Sequence, residues 1–194
     1  SDLMDVRSLT AGGRNNCALL QTGDVACWWE PDESEPVSAP ELLSMASIEA
    51  GFWHMCGVTD FGMVECWGIN DSAQLDVPAQ LRVSARVVAG AEFSCSLSHG
   101  GLLTCWGSEL AGPKEPMTVR QSAVGSSHLC VLTSDAQVRC FGDNRMNQLE
   151  YPDDMGPIVD LDAGFSHTCA VEQSGRLHCW GGDDYEQVSL TPEG

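Results

Sequence analysis

Every cysteine in the chain belongs to one of five pairs in which the two cysteines stand ten positions apart. The first pair encloses the segment CALLQTGDVAC, and this segment has four later counterparts. The pairs are Cys17 with Cys27, Cys56 with Cys66, Cys95 with Cys105, Cys130 with Cys140, and Cys169 with Cys179. Zinc sites usually draw ligands from short C-x2-4-C hooks, and no such hook is present. The spacing therefore favours disulfides, with free core thiols and metal ligands as the alternatives.

The paired cysteines belong to a longer repeat. Their first members recur at steps of 39, 39, 35 and 39 residues, a period typical of stacked or circular repeats. A short apolar stretch and a glycine precede each pair, as in ARVVAG, which predicts a strand ending in a turn. An aromatic residue follows each pair. We expect a single domain over 1–194, with repeats at approximately 8–46, 47–85, 86–120, 121–160 and 161–194.

The residues between paired cysteines predict a β-hairpin with a three-residue turn. The last turn residue takes a left-handed conformation that favours glycine. Four repeats carry glycine there, namely Gly23, Gly62, Gly101 and Gly175. Ala136 is the exception and predicts a strained or differently built turn. In this register the two cysteines lie opposite each other on one face of the hairpin, within reach of a disulfide.

Five such bridges indicate the redox environment of the compartment in which the protein is found. A disulfide that closes a loop of about 11 residues contributes on the order of 2.5 to 3 kcal/mol in the chain-entropy model. Five of them formally exceed the ~5–15 kcal/mol net stability of a typical domain. We therefore expect an oxidising compartment, whether extracellular, periplasmic or at the cell surface.

Each repeat offers four short strands: one before the first glycine, two in the hairpin, and one around a segment such as QLDVP. Four-stranded antiparallel units repeated in a circle form a β-propeller. The predicted fold class is all-β, a β-propeller of five four-stranded antiparallel blades with one disulfide per blade.

The segments AGFWHMCGVTDFGMVECWGIN and AGFSHTCAVEQSGRLHCWGGD resemble the repeats of the regulator of chromosome condensation superfamily. The form WGIN followed by QLDVP is similar to the propeller-type β-lactamase inhibitor protein. The cysteine spacing resembles the ectodomain repeats of plant crinkly-type receptor kinases. Because these relatives usually have more blades, five repeats indicate either a small closed ring or a portion of a larger one, and a homodimer is a further alternative.

The net charge and the absence of catalytic motifs disfavour several classes of function. With 28 acidic and 9 basic residues, the net charge of -19 repels nucleic-acid backbones and anionic membrane surfaces. No apolar run approaches the roughly 20 residues that span a bilayer, so membrane insertion is not expected. We find no nucleophile elbow, phosphate loop or H-E-x-x-H motif, so an enzyme is the less favoured alternative. No cofactor is expected.

Because strands in a meander alternate in direction, the loop after the first glycine and the loop after the tryptophan-glycine pair emerge at one end. Aromatic residues rimmed by acids at that end are typical of a protein interface. The expected partner-binding residues are Arg14, Asn15, Trp29, Phe52, Trp53, Asn70, Phe93, Asp143, Arg145, Phe165 and Tyr185. The resemblance to inhibitor-like propellers implies partner contacts for four of them, Phe52, Trp53, Phe93 and Phe165. In the alternative interpretation, some of these rings cap the blade core.

The expected ligand is a protein, with carbohydrate as the alternative because tryptophan and tyrosine rings stack on sugars. His54, His128 and His167 share one position, two residues before a cysteine, and we expect a structural role for them rather than a metal site. The acidic runs EPDESEP and GDDYE lack the spacing of a calcium loop and are expected to be solvated. Asn70 begins the sequence NDS, a weak match to a glycosylation site.

Overall fold

The computed structural model describes residues 4–13, 15–29, 39–40, 43–81, 83–108 and 112–191. The chain divides into two compact units, Ser1–Ser108 and Glu109–Gly194. Among the described residues every regular element is a β-strand. None of these residues forms a helix long and apolar enough to cross a membrane. The all-β class is thus confirmed, whereas the single-domain organisation and closure into a five-bladed ring stay predictions.

Fifteen strands lie in the described residues and form five repeats of three strands each. Unit 1 contains repeat 1, with β1 Val6–Ala11, β2 Asn15–Leu20 and β3 Val25–Trp29; repeat 2, with β4 Met45–Ala50, β5 His54–Thr59 and β6 Val64–Gly68; and repeat 3, with β7 Arg86–Ala89, β8 Phe93–Leu97 and β9 Leu102–Gly107. Unit 2 contains repeat 4, with β10 Met117–Val124, β11 His128–Thr133 and β12 Val138–Gly142; and repeat 5, with β13 Ile158–Ala163, β14 His167–Glu172 and β15 Leu177–Gly181.

The predicted hairpin register is confirmed in all five repeats. In repeat 1, Cys17 lies opposite Cys27 and Leu19 opposite Val25, and the other four hairpins pair in the same way. All ten cysteines form the five predicted disulfides, with Cα–Cα distances of 4.0–4.1 Å. The paired cysteines and the apolar residues beside them lie on one side of each hairpin, which we call the cysteine face.

The turn at Ala136 is built like the glycine turns and is strained. Ala136 has a φ of 61°, and its amide donates to the Thr133 carbonyl at 3.1 Å. In repeat 2 the Gly62 amide makes the same bond to Thr59 at 2.8 Å. Of the two expectations for Ala136, the strained turn is therefore the one that the structure shows.

The predicted fourth strand is wrong for the described residues. The segment that follows each of β6, β12 and β15 forms turns instead. In repeat 2 the Asn70 side chain accepts a hydrogen bond from the Leu75 amide, and Gln74 Oε1 accepts one from the Ser72 amide, both at 2.8 Å. Side-chain oxygens thereby bind the amides that a strand would offer to its neighbour, so this segment closes on itself.

The cores lie between successive repeats of a unit. In unit 1 the cysteine face of repeat 1, with Cys17 and Leu19, packs against Met45 and Ile48 of β4. The cysteine face of repeat 2 packs against Val87 of β7 in the same way. In unit 2, the cysteine face of repeat 4 packs against β13. The hairpins of repeats 1, 2 and 4 are therefore buried on their cysteine faces by the first strand of the repeat that follows.

Candidate functional site

In repeats 2 to 5, the loop before the second strand and the residues that follow the third strand meet at one end, as the strand directions predict. In repeat 4 these loops are residues 125–127, between β10 and β11, and residues 143–149, after β12. The Asp143 amide donates to the Ser127 carbonyl at 2.8 Å and so joins the two loops. In repeat 5 the Gly182 amide donates to Ser166 at 2.8 Å. We call these paired segments the tip loops.

The tip loops of repeats 4 and 5 enclose an open groove of about 920 Å³ within unit 2. Four of the predicted binding residues line it together, namely Asp143, Arg145, Phe165 and Tyr185. The Phe165 side chain is 70% exposed and that of Tyr185 is 91% exposed. Two aromatic rings therefore stand largely uncovered beside a groove, which is unusual for residues without a binding role.

An ion pair lies in the same groove. Arg145 Nε lies 3.0 Å from both carboxylate oxygens of Asp143. Partial burial raises the pKa of Asp143, but hydrogen bonds and charge from Arg145 outweigh it and hold the pKa below its usual value. The Arg145 side chain is 84% exposed, so its outer guanidinium nitrogens face solvent. The groove that contains the two exposed rings thus also offers hydrogen-bond donors.

The loop that carries Tyr185 is held by its own side chains. Asp183 Oδ1 accepts hydrogen bonds from the amides of Val188 and Ser189 at 2.8 and 3.0 Å, and these bonds lower the pKa of Asp183. The Tyr185 amide donates to Gln187 Oε1 at 2.9 Å, and Gln187 Nε2 donates to the Gly182 carbonyl at 2.7 Å. The Tyr185 ring is therefore presented on a preorganised loop, which reduces the entropy lost on binding.

Three of the predicted residues of unit 1, Phe52, Trp53 and Asn70, lie on tip loops of repeat 2. Phe52 and Trp53 are half-buried and meet edge to face, with ring centroids 4.8 Å apart. The Phe52 ring covers Gly13, where an added Cβ would lie 2.7 Å from it. Asn70 is exposed, but its side-chain amide donates to Asp76 at 2.9 Å and holds its loop. Phe52 and Trp53 therefore contribute to packing and remain partly exposed, whereas Asn70 is exposed and stabilises its loop.

The structure contradicts the expectation that Phe93 and Asn15 are displayed for partner binding. Phe93 is only 1% exposed and Asn15 is also buried, so neither is displayed at the tip. Both begin the second strand of a repeat, at the position where repeats 2 and 4 have buried His54 and His128. The Phe93 ring occupies the space where any side chain at Gly90 would lie. For Phe93, the alternative of a ring that caps the core is the one observed.

Two predicted residues are not fully described. Arg14 lies outside the described residues. Trp29 is described only through its backbone, at the end of β3 opposite Asn15. Their binding roles stay predictions.

The buried histidines connect neighbouring repeats. His54 Nε2 and Ser94 Oγ lie 2.8 Å apart, and the Ser94 hydroxyl donates to the Gln74 carbonyl at 3.0 Å, so the histidine is the donor. His128 Nε2 meets Thr168 Oγ1 at 2.9 Å in the same manner. Burial lowers the pKa of each histidine to about 4. This geometry fits a structural role for the two histidines. The sequence analysis did not identify their hydroxyl partners, Ser94 and Thr168.

Among the described residues, no group of three or more His, Cys, Asp or Glu side chains is placed to hold a metal ion. A buried hydrogen bond instead joins Glu172 Oε1 and His178 Nε2, which lie 2.8 Å apart. Hydrogen bonds from the Gly156 amide, Ser174 and His178 lower the pKa of Glu172 to about 2. All four groups belong to repeat 5 or the segment before it, so this cluster braces the hairpin end of that repeat.

A second groove, of about 860 Å³, lies at the hairpin end of unit 1. Its lining is mainly apolar and includes Met63, Leu81 and Val83. None of the predicted binding residues lines it, so the unit 2 groove is the candidate functional site.

Comparison with known proteins agrees with this architecture. The family model for the regulator of chromosome condensation (RCC1) repeat matches residues 119–148 and 158–187. No curated protein matches the chain in sequence. The chain is similar in fold to Prp20p of Saccharomyces cerevisiae, with a TM-score of 0.74 and 19% identity over 96% of this chain and 60% of Prp20p.

Two plant receptor structures are also similar. The ectodomain of the Physcomitrella patens receptor kinase CR4 matches with a TM-score of 0.69 and 24% identity, over 94% of this chain and 52% of that ectodomain. The CRINKLY WD40 ectodomain of the Arabidopsis thaliana receptor kinase ACR4 matches with a TM-score of 0.68 and 26% identity, over 97% of this chain and 69% of that ectodomain. The chain thus spans less than two thirds of the Prp20p chain and of the CR4 ectodomain. The repeat match and the shared fold together support the assignment of this chain to the superfamily of RCC1-like propellers.

Proposed function

We propose that this protein is a secreted or cell-surface, non-enzymatic module that recognises a protein partner through its tip loops. One observation carries the proposal: Phe165 and Tyr185 are largely exposed and line one groove, and the loop that bears Tyr185 is held by internal hydrogen bonds. Exposed aromatic residues on a preorganised scaffold are typical anchors of protein interfaces.

The disulfides support the proposed location. Five bridges are stable in an oxidising compartment and are rare in the cytosol. The similarity to the CR4 and ACR4 receptor ectodomains points the same way. Prp20p has a similar fold and binds Gsp1p and histones, so a scaffold of this kind can bind proteins.

The chemistry of the groove supports binding rather than catalysis. Its Asp143 carboxylate is engaged by Arg145 and keeps a lowered pKa, which suits an ionised contact residue better than a general acid or base at neutral pH. A groove that combines an exposed guanidinium with two exposed rings fits a partner that presents an apolar side chain beside a carboxylate or a carbonyl. Carbohydrate is the competing ligand class, because the exposed Tyr185 ring could stack on a sugar.

A triple variant tests the proposal. Wild-type protein and the variant Phe165→Ala, Tyr185→Ala, Arg145→Ala are used as baits in the native extracellular medium, and the captured proteins are compared by mass spectrometry. We expect a partner held by wild type to lose affinity by more than about tenfold in the variant, because anchor residues each contribute at least about 1.4 kcal/mol. The melting temperature should hardly change.

Phe61→Ala is the matched control. Phe61 is 84% exposed, but it lies on the hairpin turn of repeat 2, away from the tip loops. Capture by this variant should equal that of wild type. Equal capture by the triple variant contradicts the proposal. A glycan array with the same proteins separates the ligand classes, since sugar binding that depends on Tyr185 favours the carbohydrate alternative.

A further inference from the structure

The apolar groove at the hairpin end of unit 1, which we call the unit 1 groove, has three walls. They are the hairpin of repeat 2, the turn of the repeat 3 hairpin, and the linker that runs from Val77 to β7. Val77 and Leu81 of the linker pack on the core of repeat 2 and are half-buried. Met63 of the hairpin is 53% exposed and Val83 of the linker is 57% exposed. The groove therefore displays apolar surface that the core of unit 1 leaves uncovered.

The groove is open because the linker is not tied to the turn of repeat 3. In repeat 5 the Gln173 amide of the turn donates to the Pro157 carbonyl of the preceding linker at 2.8 Å, and repeat 2 has the equivalent bond at 3.0 Å. The equivalent residues of repeat 3 are His99 and Val83, and no such bond joins them. In addition, β7 begins two positions later in its repeat than β4 and β13 do. The end of the linker thus stays outside the sheet.

The equivalent place in unit 2 is polar and closed. Gln137 stands there in the position of Met63. Glu172 stands in the position of Ser98, and its carboxylate accepts a hydrogen bond from the Gly156 amide of the linker at 2.9 Å. Both linkers separate first cysteines that lie 39 positions apart, so the difference comes from residue type rather than length. The apolar lining of the unit 1 groove is therefore not needed to join two repeats.

The charge of the groove indicates what it can bind. Glu65 is the only Asp, Glu, Lys or Arg among the described residues that line it. Glu65 is half-buried, and no described side chain forms an ion pair with it. Arg82, between Leu81 and Val83 in the sequence, lies outside the described residues. An unpaired carboxylate beside apolar surface, on a chain of net charge -19, is complementary to a cation carried by an apolar segment.

We propose that the unit 1 groove is a second docking site, for a segment of a partner protein that carries a bulky apolar side chain next to a lysine or arginine. The apolar side chain would pack against Met63, Leu81 and Val83, and the cation would face Glu65. None of these residues lies on a tip loop. The proposal is therefore independent of the role proposed for the unit 2 groove.

Selection from a phage-displayed library of random dodecapeptides tests the proposal. The bait is the full chain with the unit 2 groove disabled by Phe165→Ala, Tyr185→Ala and Arg145→Ala. We expect enrichment of peptides in which an apolar residue adjoins a lysine or arginine. Such a peptide, synthesised and titrated by fluorescence anisotropy, should bind the wild type as well as it binds the bait.

Substitutions that shrink the apolar lining should weaken this peptide. Met63→Ser and Val83→Ser should each lower its affinity by about tenfold, because a buried apolar side chain loses its contact. Both residues are more than half exposed, so the melting temperature should hardly change. Phe61→Ser is the matched control, because Phe61 is 84% exposed on the same hairpin and does not line the groove.

A charge exchange tests the role of Glu65. Glu65→Lys should lower the affinity of the basic peptide by about fivefold, as expected for the loss of a partly exposed ion pair. The same peptide with glutamate in place of its lysine or arginine should bind Glu65→Lys more tightly than wild type. A structural defect would weaken both peptides and would not reverse the preference. Affinity of the original pair should also fall as the ionic strength rises.

Three results would overturn the proposal. They are a library that yields no enriched peptide, enriched peptides without a basic residue, and binding that Met63→Ser leaves intact. Sedimentation velocity of the wild type addresses a second copy of this chain as the occupant. Self-association that Met63→Ser abolishes and Phe61→Ser does not would likewise overturn the proposal, because the groove would then bind another copy.

Discussion

At the scale of single residues, Ala136 adopts a left-handed conformation that the other four repeats give to glycine. An alanine with φ near +61° suffers steric contact between its Cβ and the backbone, at a cost of roughly 1 kcal/mol. The hairpin tolerates this because the disulfide and the paired strands hold the turn in register.

Ala136→Gly should therefore stabilise the protein by about 0.5 kcal/mol, since relief of strain outweighs the greater freedom of glycine in the unfolded chain. Gly175→Ala is the matched control, because no heavy atom lies within 4 Å of an added Cβ and only backbone strain is introduced. By the same reasoning in reverse, that variant should lose about 0.5 kcal/mol. Urea unfolding monitored by tryptophan fluorescence measures both, and a less stable Ala136→Gly protein contradicts the explanation.

The buried histidines predict a pH dependence of stability. Desolvation lowers the pKa of His54 and His128 to about 4, whereas an unfolded histidine titrates near 6.5. Between these values the unfolded chain binds protons that the folded protein does not, so the free energy of unfolding falls as the pH falls from 6.5 to 4. The loss should be on the order of 2 kcal/mol for each histidine.

His54→Phe tests this pH effect, because repeat 3 already places Phe93 at the equivalent position. Urea unfolding at pH 7 and near pH 4.5 should show a smaller loss of stability in the variant than in wild type. His54→Phe also removes the bond to Ser94, so the difference between the two pH values is the informative quantity rather than stability at either one. An unchanged difference would exclude His54 as a source of the acid sensitivity.

At the scale of strands and turns, the sequence predicted what short-range patterns determine. The hairpin register follows from the turn glycine and the cysteine spacing, which lie within eleven residues of each other. The missing fourth strand was not predictable from its apolar residues, because side chains such as Gln74 bind the local backbone amides. The sequence analysis expected Phe93 to be exposed at the tip for a related reason. Its burial depends on packing beside Gly90, which the local sequence pattern does not reveal.

The five disulfides differ in their accessibility to reductant. Both Cys169 and Cys179 are half-buried, whereas the first cysteine of every other pair is fully buried. With limiting reductant, the bridge between Cys169 and Cys179 should therefore be reduced first. Alkylation followed by peptide mass spectrometry gives the order of reduction. Preferential loss of a different bridge, such as Cys130 with Cys140, would show that burial of the first cysteine does not set the order.

At the scale of the whole molecule, the sequence predicted which loops of a repeat emerge at the same end of its strands. The groove of unit 2 forms where such loops of two repeats meet. Asp143, Arg145, Phe165 and Tyr185 meet there because two adjacent repeats bring equivalent loops side by side. Which rings would be exposed was less predictable. Phe165 lies in the loop before the second strand of its repeat and is exposed, whereas Phe93 is the first residue of that strand in repeat 3 and is buried.

The dependence of the whole fold on its bridges gives the last prediction. Each three-stranded repeat is small, and its core forms only against the next repeat, so a repeat that opens also uncovers its neighbour. Each bridge restrains the unfolded chain by about 2.5 to 3 kcal/mol, so their combined loss is as large as the net stability of a typical domain. Complete reduction should therefore abolish the cooperative thermal transition seen by near-ultraviolet circular dichroism. A mock-treated sample that has been alkylated without reductant is the control, and a reduced protein that melts at the control temperature would show that packing alone holds the repeats together.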